Sequence, residues 1–198
     1  MVLPIYTYGQ PVLRERAAEI DPQAPDFDAD AFHHLLNDMV ETMHEANGIG
    51  LAAPQIGHSL RVFVIDLAPY AEDIAEENDG VVPEWATGPL ALINPEIEEV
   101  GGADEEAFEE GCLSIPDLRE DVVRPERVRL RYLDAEFQPV EILATGMLAR
   151  VVQHELDHLD GVLFVDYLAG MRKRLVRRRL RRMAQGEVEA GYPIQPPE

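Results

Sequence analysis

The run Gln153-His154-Glu155-Leu156-Asp157-His158 constrains this chain more than any other stretch of it. Residues four apart on an α-helix share one face, a single turn above each other, so the imidazoles of His154 and His158 converge. Two imidazoles so placed hold one metal ion, and Glu155 beside them stays free to handle protons. Apolar residues around the motif keep the helical period: Leu148, Val151, Val152, Leu156 and Leu159 mark a helix from about Thr145 to Leu159. A chain with six histidines and 38 acidic residues can also produce the pattern by accident, as two surface histidines on a polar helix. The motif therefore has to be judged by what accompanies it.

A hydrolytic site of this type needs three protein ligands and one open position for water. Extended protease motifs place a third histidine six residues after the second, but that position is Phe164. A glutamate on a later helix is another known arrangement. After His158 the acidic candidates are Asp160, Asp166, Glu187, Glu189 and Glu198. The first two are too close to belong to a separate helix, and the others lie in or beyond a basic segment. Cys112 is the stronger candidate. It sits in Glu109-Glu110-Gly111-Cys112-Leu113-Ser114-Ile115-Pro116, where Gly111 and Pro116 imply a shaped, irregular backbone. A ligating cysteine is a thiolate and softens the Lewis acidity of its ion. Lone cysteines are more often small buried hydrophobes, and the histidine pair reverses that preference here.

Elsewhere, Phe32, Leu35, Leu36, Met39, Val40 and Met43 recur at three- and four-residue steps, which predicts an amphipathic helix from about Asp28 to Ala46. Asn47-Gly48 is its expected stop. Residues 48–55 carry too much glycine for a regular element, and Arg61–Leu67 reads as a strand. Residues 68–89, acidic with scattered Pro and Gly, read as a surface loop. Leu90–Ile93 and Glu96–Val100 look like two short strands divided by Pro95. Val128, Leu130 and Tyr132 alternate with arginines, as in a half-exposed strand, and Val140–Leu143 can pair with it. A short apolar segment, Phe164–Leu168, precedes a basic helix of roughly 170–185. The expected fold class is α+β: a single domain over 1–185, with short antiparallel strands packed around a central metal-binding helix, plus a C-terminal helix. Residues 186–198 are expected to form a flexible tail.

Charge narrows the partners. The net charge is −21, yet eight of the 17 basic residues fall within Arg172–Arg182. The acidic body excludes a general nucleic-acid binder. The compact basic helix suits either docking on a phosphate-rich surface or a solvated face that balances the body. No apolar run approaches the ~20 residues needed to cross a bilayer, so no membrane association is expected. Met1–Gln10 lacks the basic and apolar regions of a signal peptide, and the single cysteine excludes an internal disulfide. A cytoplasmic protein is the expectation.

Three segments now stand together: Gly48-x-Gly50-Leu-Ala-Ala-Pro-Gln55, Glu110-Gly-Cys112-Leu-Ser114, and Gln153-His154-Glu155-x-Asp157-His158. In this order and spacing they resemble the peptide deformylases, which remove the formyl group from the N-terminal formylmethionine of new bacterial and organellar proteins. The resemblance runs from about residue 3 to 182. It implies that Cys112, His154 and His158 bind one divalent metal, with water as fourth ligand and nucleophile. Glu155 would accept the water's proton and return it to the departing amine. The side-chain amide of Gln55 and the backbone N–H of Leu113 would donate to the developing oxyanion. Ile49 and Gly50 would touch a substrate added as a strand, and Val151 would help line a pocket for the methionine side chain. Glu110 and Arg119 would pair to brace the Cys112 loop, with Arg119 near the substrate mouth.

Two histidines and a cysteine suit Zn²⁺, Fe²⁺, Ni²⁺ or Co²⁺, and the resemblance favours Fe²⁺ in the cell. The substrates implied are N-formylmethionyl nascent peptides, and a monomer is expected. In bacterial deformylases the C-terminal helix docks on the ribosome near the tunnel exit. The cluster Arg172, Lys173, Arg174, Arg177, Arg178, Arg179, Arg181 and Arg182 resembles such a helix and is expected to contact ribosomal RNA in a salt-dependent way. Two rival functions fit parts of the same pattern. A small metallopeptidase is opposed by Phe164 and the Cys112 motif. A metal-binding, ribosome-associated factor without catalysis is opposed by the retention of Glu155 and Gln55.

Overall fold

The computed structural model describes residues 1–99 and 104–197. The chain runs β1 (Ile5–Tyr6), α1 (Ala29–Glu45), β2 (Gly50–Ala52), β3 (Val62–Ile65), α2 (Ala71–Glu77), β4 (Leu90–Glu99), β5 (Glu105–Cys112), β6 (Ile115–Pro125), β7 (Arg127–Leu133), β8 (Pro139–Thr145), α3 (Gly146–Leu159), α4 (Gly170–Met183) and β9 (Ile194–Gln195).

Strand β3 shows how the layers form. All four of its residues are buried, and successive side chains point to opposite faces. Phe63 and Ile65 join Leu92, Val128 and Leu130 against Leu148, Val152 and Leu159 of α3. Val62 and Val64 join Ile93 on the other face, against Phe32, Leu36, Met39 and Met43 of α1. A slip of one residue would exchange the two sets, so the apolar run itself locks the register. The resulting antiparallel sheet has the order β2-β3-β4-β7-β8. Outside it, β5 and β6 form a separate antiparallel hairpin. Ile115, Leu118 and Val122 of that hairpin pack with Leu163, Phe164, Val165 and Leu168 and with Val176 and Met183 of α4. This is the α+β, single-domain architecture expected, with α3 bearing the histidine pair.

Local signals account for the elements read correctly. Asp28 caps α1 by accepting the Ala31 N–H at 3.0 Å, and Asn47 ends the helical run in the left-handed region at φ 53°. Strand β7 pairs with β8 as expected, and the register sets Tyr132 opposite Val140 and Leu130 opposite Ile142.

Other expectations need correction. Residues 48–55 contain a regular element, since Gly50–Ala52 is strand β2 and Ala53–Ile56 a 3-10 turn. Residues 68–89 are not simply a surface loop: they hold α2 and two 3-10 turns, with Ile74 and Ala86 buried and Trp85 packed on the core. Pro95 does not divide two strands. Strand β4 passes through it with a register shift between Ile93 and Glu96, because Asn94 at φ 48° absorbs the bulge. The Asn94 amide accepts the Ile20 N–H at 2.9 Å and donates to the Ile20 carbonyl at 2.8 Å. Val100, the expected end of that strand, lies outside the described residues.

The tail also differs from expectation. β9 pairs in parallel with β1, Ile194 opposite Ile5 and Gln195 opposite Tyr6. The Ile5 N–H donates to the Pro193 carbonyl at 2.9 Å, and Gln10 Nε2 donates to Pro196 at 2.8 Å. Residues 186–197 are thus folded back on the N-terminal segment, and Glu198 lies outside the described residues. Among the described residues no helix is long and apolar enough to cross a membrane.

Candidate active site

The inward face of α3 carries chemistry as well as packing, since Val151, Glu155 and His158 are buried beside Leu148 and Val152. The His154 and His158 rings lie 5.1 Å apart at 80°. The β5–β6 hairpin delivers Cys112 to them: its Sγ is 3.2 Å from His158 Nε2. One ligand atom from each of Cys112, His154 and His158 lies within 4.8 Å of the others. Around a tetrahedral ion such atoms stand roughly 3.5 Å apart, so a small contraction of this trio suits one metal.

Glu110 sets the orientation of His154. It is buried and accepts from His154 Nδ1 at 2.9 Å, leaving Nε2 for the ligand side of the ring. It also accepts from Arg124 Nε at 2.6 Å and Nη2 at 3.0 Å, and from Arg150 Nη1 at 3.3 Å. Burial alone would raise the Glu110 carboxyl, but its hydrogen bonds from His154 and Arg124 hold it down at about 2. Burial likewise favours neutral imidazole at His154, yet the Cys112 and Glu110 contacts push it up to about 10. The Glu110 carboxylate and the Cys112 sulfur beside this buried imidazole thus favour positive charge at this place. A divalent cation satisfies the same demand, so the donor set fits a metal chemically as well as in distance.

The expected pairing of Glu110 with Arg119 is corrected here. Arg119 is exposed, with Nη1 3.9 Å from Glu109 instead. The real partners, Arg124 and Arg150, carried no sequence signal, for they lie 14 and 40 residues from Glu110. Arg124 also contacts Asp157 Oδ2 at 2.8 Å and lies over the Tyr167 ring at 4.8 Å. Gln153 Nε2 donates to the Pro125 carbonyl at 3.0 Å, so two further residues of the histidine motif clamp α3 to the hairpin.

Removing Glu110 leaves buried Arg124 with Asp157 as its one carboxylate, and buried Arg150 with the Val122 and Glu106 carbonyls alone. We expect Glu110→Ala to destabilise the fold by roughly 3–5 kcal/mol, read as a lower denaturation midpoint. Its depressed carboxyl gives the pH sign. The contribution is complete above about 4.5, the ordinary value, and is lost as pH falls toward about 2. A variant as stable as the parent at neutral pH would show that the pair contributes nothing net.

Gln55 sits in the 3-10 turn after β2. Its Oε1 accepts the Ala52 N–H at 2.8 Å, which turns Nε2 into the site. There Nε2 lies 3.2 Å from Ser114 Oγ and 3.6 Å from Cys112 Sγ. Ser114, which sequence reasoning left without a role, is fully buried. Leu113 follows Cys112 in the turn between β5 and β6 and is half-buried.

Glu155 is buried, and its Oε2 has no hydrogen-bond partner among the described residues. Burial pushes its carboxyl up to about 7. Gly50 of β2 lies directly against it: a Cβ added there would stand 2.7 Å from Glu155 Cδ. A Cβ at Gly48 would meet Leu113 Cδ1, also at 2.7 Å. The glycines of this segment therefore make room for the site's own side chains. Ile49 is half-buried and packs on the same core as Val151.

The sequence profile described as Polypeptide deformylase matches residues 2–174. A peptide deformylase of Salinibacter ruber is 55% identical over 194 residues, covering 98% of this chain and 94% of its own length. Among solved structures, a peptide deformylase from Legionella pneumophila superposes with a TM-score of 0.74 at 38% identity, over 94% of this chain and 98% of that one. One from Synechococcus elongatus, in complex with actinonin, gives a TM-score of 0.72 at 39% identity, over 89% and 87%.

Proposed function

Since the chain belongs to the polypeptide deformylase family, we propose that it hydrolyses the formyl amide of N-formylmethionyl nascent peptides and releases formate. The observation that carries this reading is the convergence of Cys112 and Gln55 on the His154–Glu155–His158 face of α3. Cys112, His154 and His158 would hold one divalent ion, Fe²⁺ in the cell, although Zn²⁺, Ni²⁺ and Co²⁺ suit the same donors. Such an ion supplies Lewis acidity toward water and toward the formyl oxygen.

The protein's own groups supply the rest. Glu155, buried and close to neutral titration, accepts a proton from the attacking water and returns it to the departing amine. Gln55 Nε2, aimed by its Oε1 anchor, donates to the oxyanion together with the Leu113 N–H. Ile49 and Gly50 border the peptide, Val151 contributes to the wall around the methionine side chain, and Arg119 stands at the rim. We place this activity in the cytoplasm and in a monomer.

Phe164 favours this reading over a peptidase with a third histidine. It is a fully buried packing residue, its ring stacked 6.2 Å from His154. The decisive assay is formate release from a formyl-Met peptide by protein loaded anaerobically with Fe²⁺. We expect release without cleavage of internal peptide bonds. No release from protein holding one ion per chain would favour the metal-binding factor without catalysis.

For α4 we propose ribosomal docking through its exposed cations. Arg172 is engaged by Asp121 at 2.9 Å, Arg179 by Asp117 at 3.4 Å and Arg182 by Glu187 at 2.7 Å. Lys173, Arg174, Arg177, Arg178 and Arg181 are exposed and make no ion pair among the described residues. Truncating the helix would also remove buried Val176 and Met183, so charge removal is the cleaner test. Alanine at Arg174, Arg177, Arg178 and Arg181 together should weaken ribosome binding at least roughly tenfold and flatten its salt dependence. Turnover of free peptides should not change. Unaltered ribosome affinity would refute the docking role.

A further inference from the structure

The turn that joins β5 to β6 offers two backbone carbonyls, those of Leu113 and Ser114, and each is taken by a segment from a different end of the chain. The Tyr8 N–H, just after β1, donates to the Ser114 carbonyl at 2.8 Å. The Tyr192 hydroxyl, just before β9, donates to the Leu113 carbonyl at 2.8 Å. Because β1 and β9 pair with each other, these two donors belong to one small unit. Its register is set by the bond from the Ile5 N–H to the Pro193 carbonyl, which fixes the backbone next to Tyr192. Pro193 further restricts Tyr192 to extended conformations. The ring is half-buried and packs against the same core cluster as Leu113.

We propose that Tyr192 is a positioning residue for the reaction, and that the segment 187–197 serves to hold its hydroxyl on Leu113. The inference rests on the reading of the Leu113 N–H as an oxyanion donor. Within one residue only φ and ψ separate the N–H from the carbonyl. Fixing the Leu113 carbonyl from outside therefore limits where its N–H can point, and the preceding residue is the metal-ligand candidate Cys112. An oxyanion donor works only when aimed before the charge develops.

The test is Tyr192→Phe in the metal-loaded protein, which keeps the ring and its packing and removes only the hydroxyl. We expect kcat for formate release to fall roughly tenfold, with KM within about twofold, and the unfolding midpoint nearly unchanged. Amide exchange across residues 112–115 should quicken, and the thiolate absorption of the Co²⁺-loaded protein should shift. A second variant that ends at Ala190 should show the same changes at least as strongly. Parental kcat, exchange and absorption in Tyr192→Phe would overturn the proposal. Should the parent itself release no formate, the deformylase reading fails. Exchange and absorption then still decide whether Tyr192 positions the turn.

Discussion

Replacing Glu155 with alanine in the metal-loaded protein should leave one ion bound per chain and cut formate release by at least about a hundredfold. The two effects separate because the ligand candidates are Cys112, His154 and His158, whose donor atoms cluster without help from Glu155. Glu155 instead presents a buried carboxylate with one oxygen that has no partner among the described residues. Burial without a fixed partner keeps such a group near neutral titration, where it can both take and give a proton. Formate assay and metal analysis on the same preparation check the prediction. A loss of only a few-fold would assign the proton transfers to another group. Loss of the ion would make Glu155 a support of the metal site.

The second large effect is expected at Gly50, a residue with no chemistry of its own. In Gly50→Ala the new methyl would lie 2.7 Å from Glu155 Cδ and 2.9 Å from Cγ, closer than carbon atoms approach. Either β2 moves away from α3 or the carboxylate swings aside. A displacement of about 1 Å at a reacting group costs on the order of a hundredfold in rate, so kcat should fall by that amount with the ion retained. Gly48→Ala is the matched control. Its methyl is crowded by the end of the Leu113 side chain, which can rotate, while the Met43 and Gly50 carbonyls stand at ordinary contact distances of 3.4 and 3.5 Å, and the loss should be much smaller. Near-parental kcat in Gly50→Ala would show that the carboxylate has room the structure does not indicate.

Glycine also marks where reading the sequence stops. Around Gly50 the sequence suggests space for an incoming peptide, whereas the face a Cβ would occupy is filled by Glu155. Spacing along a helix is a local property, so His154, Glu155 and His158 were legible from a few residues, as was the period of α1. Cys112 was legible because a short motif surrounds it. The Arg124–Glu110–Arg150 network was not, for its members come from two strands and a helix and nothing in their own neighbourhoods requires a partner. The β5–β6 hairpin was hidden for a related reason. Residues 105–109 are mostly acidic and all exposed, without the apolar alternation that betrays a half-buried strand. Tyr192 lay in a Pro-rich stretch that reads as a loose end, and only its pairing across the fold gives it a role.

The parallel pairing of β1 with β9 has a consequence for the order in which the molecule can be completed. Ile5 and Ile194 lie close in space but far apart in the chain, so residues near 194 are synthesised long after those near 5. The sheet, α1 and α3 can assemble from segments already made, but the grip on the Leu113 carbonyl has to wait for Tyr192. Closing so long a loop is entropically costly and belongs among the late events of folding. An emerging copy would therefore pass through a stage with its histidines and cysteine assembled and its turn held from one side only. Maturation of the site would then be timed by the growth of its own chain.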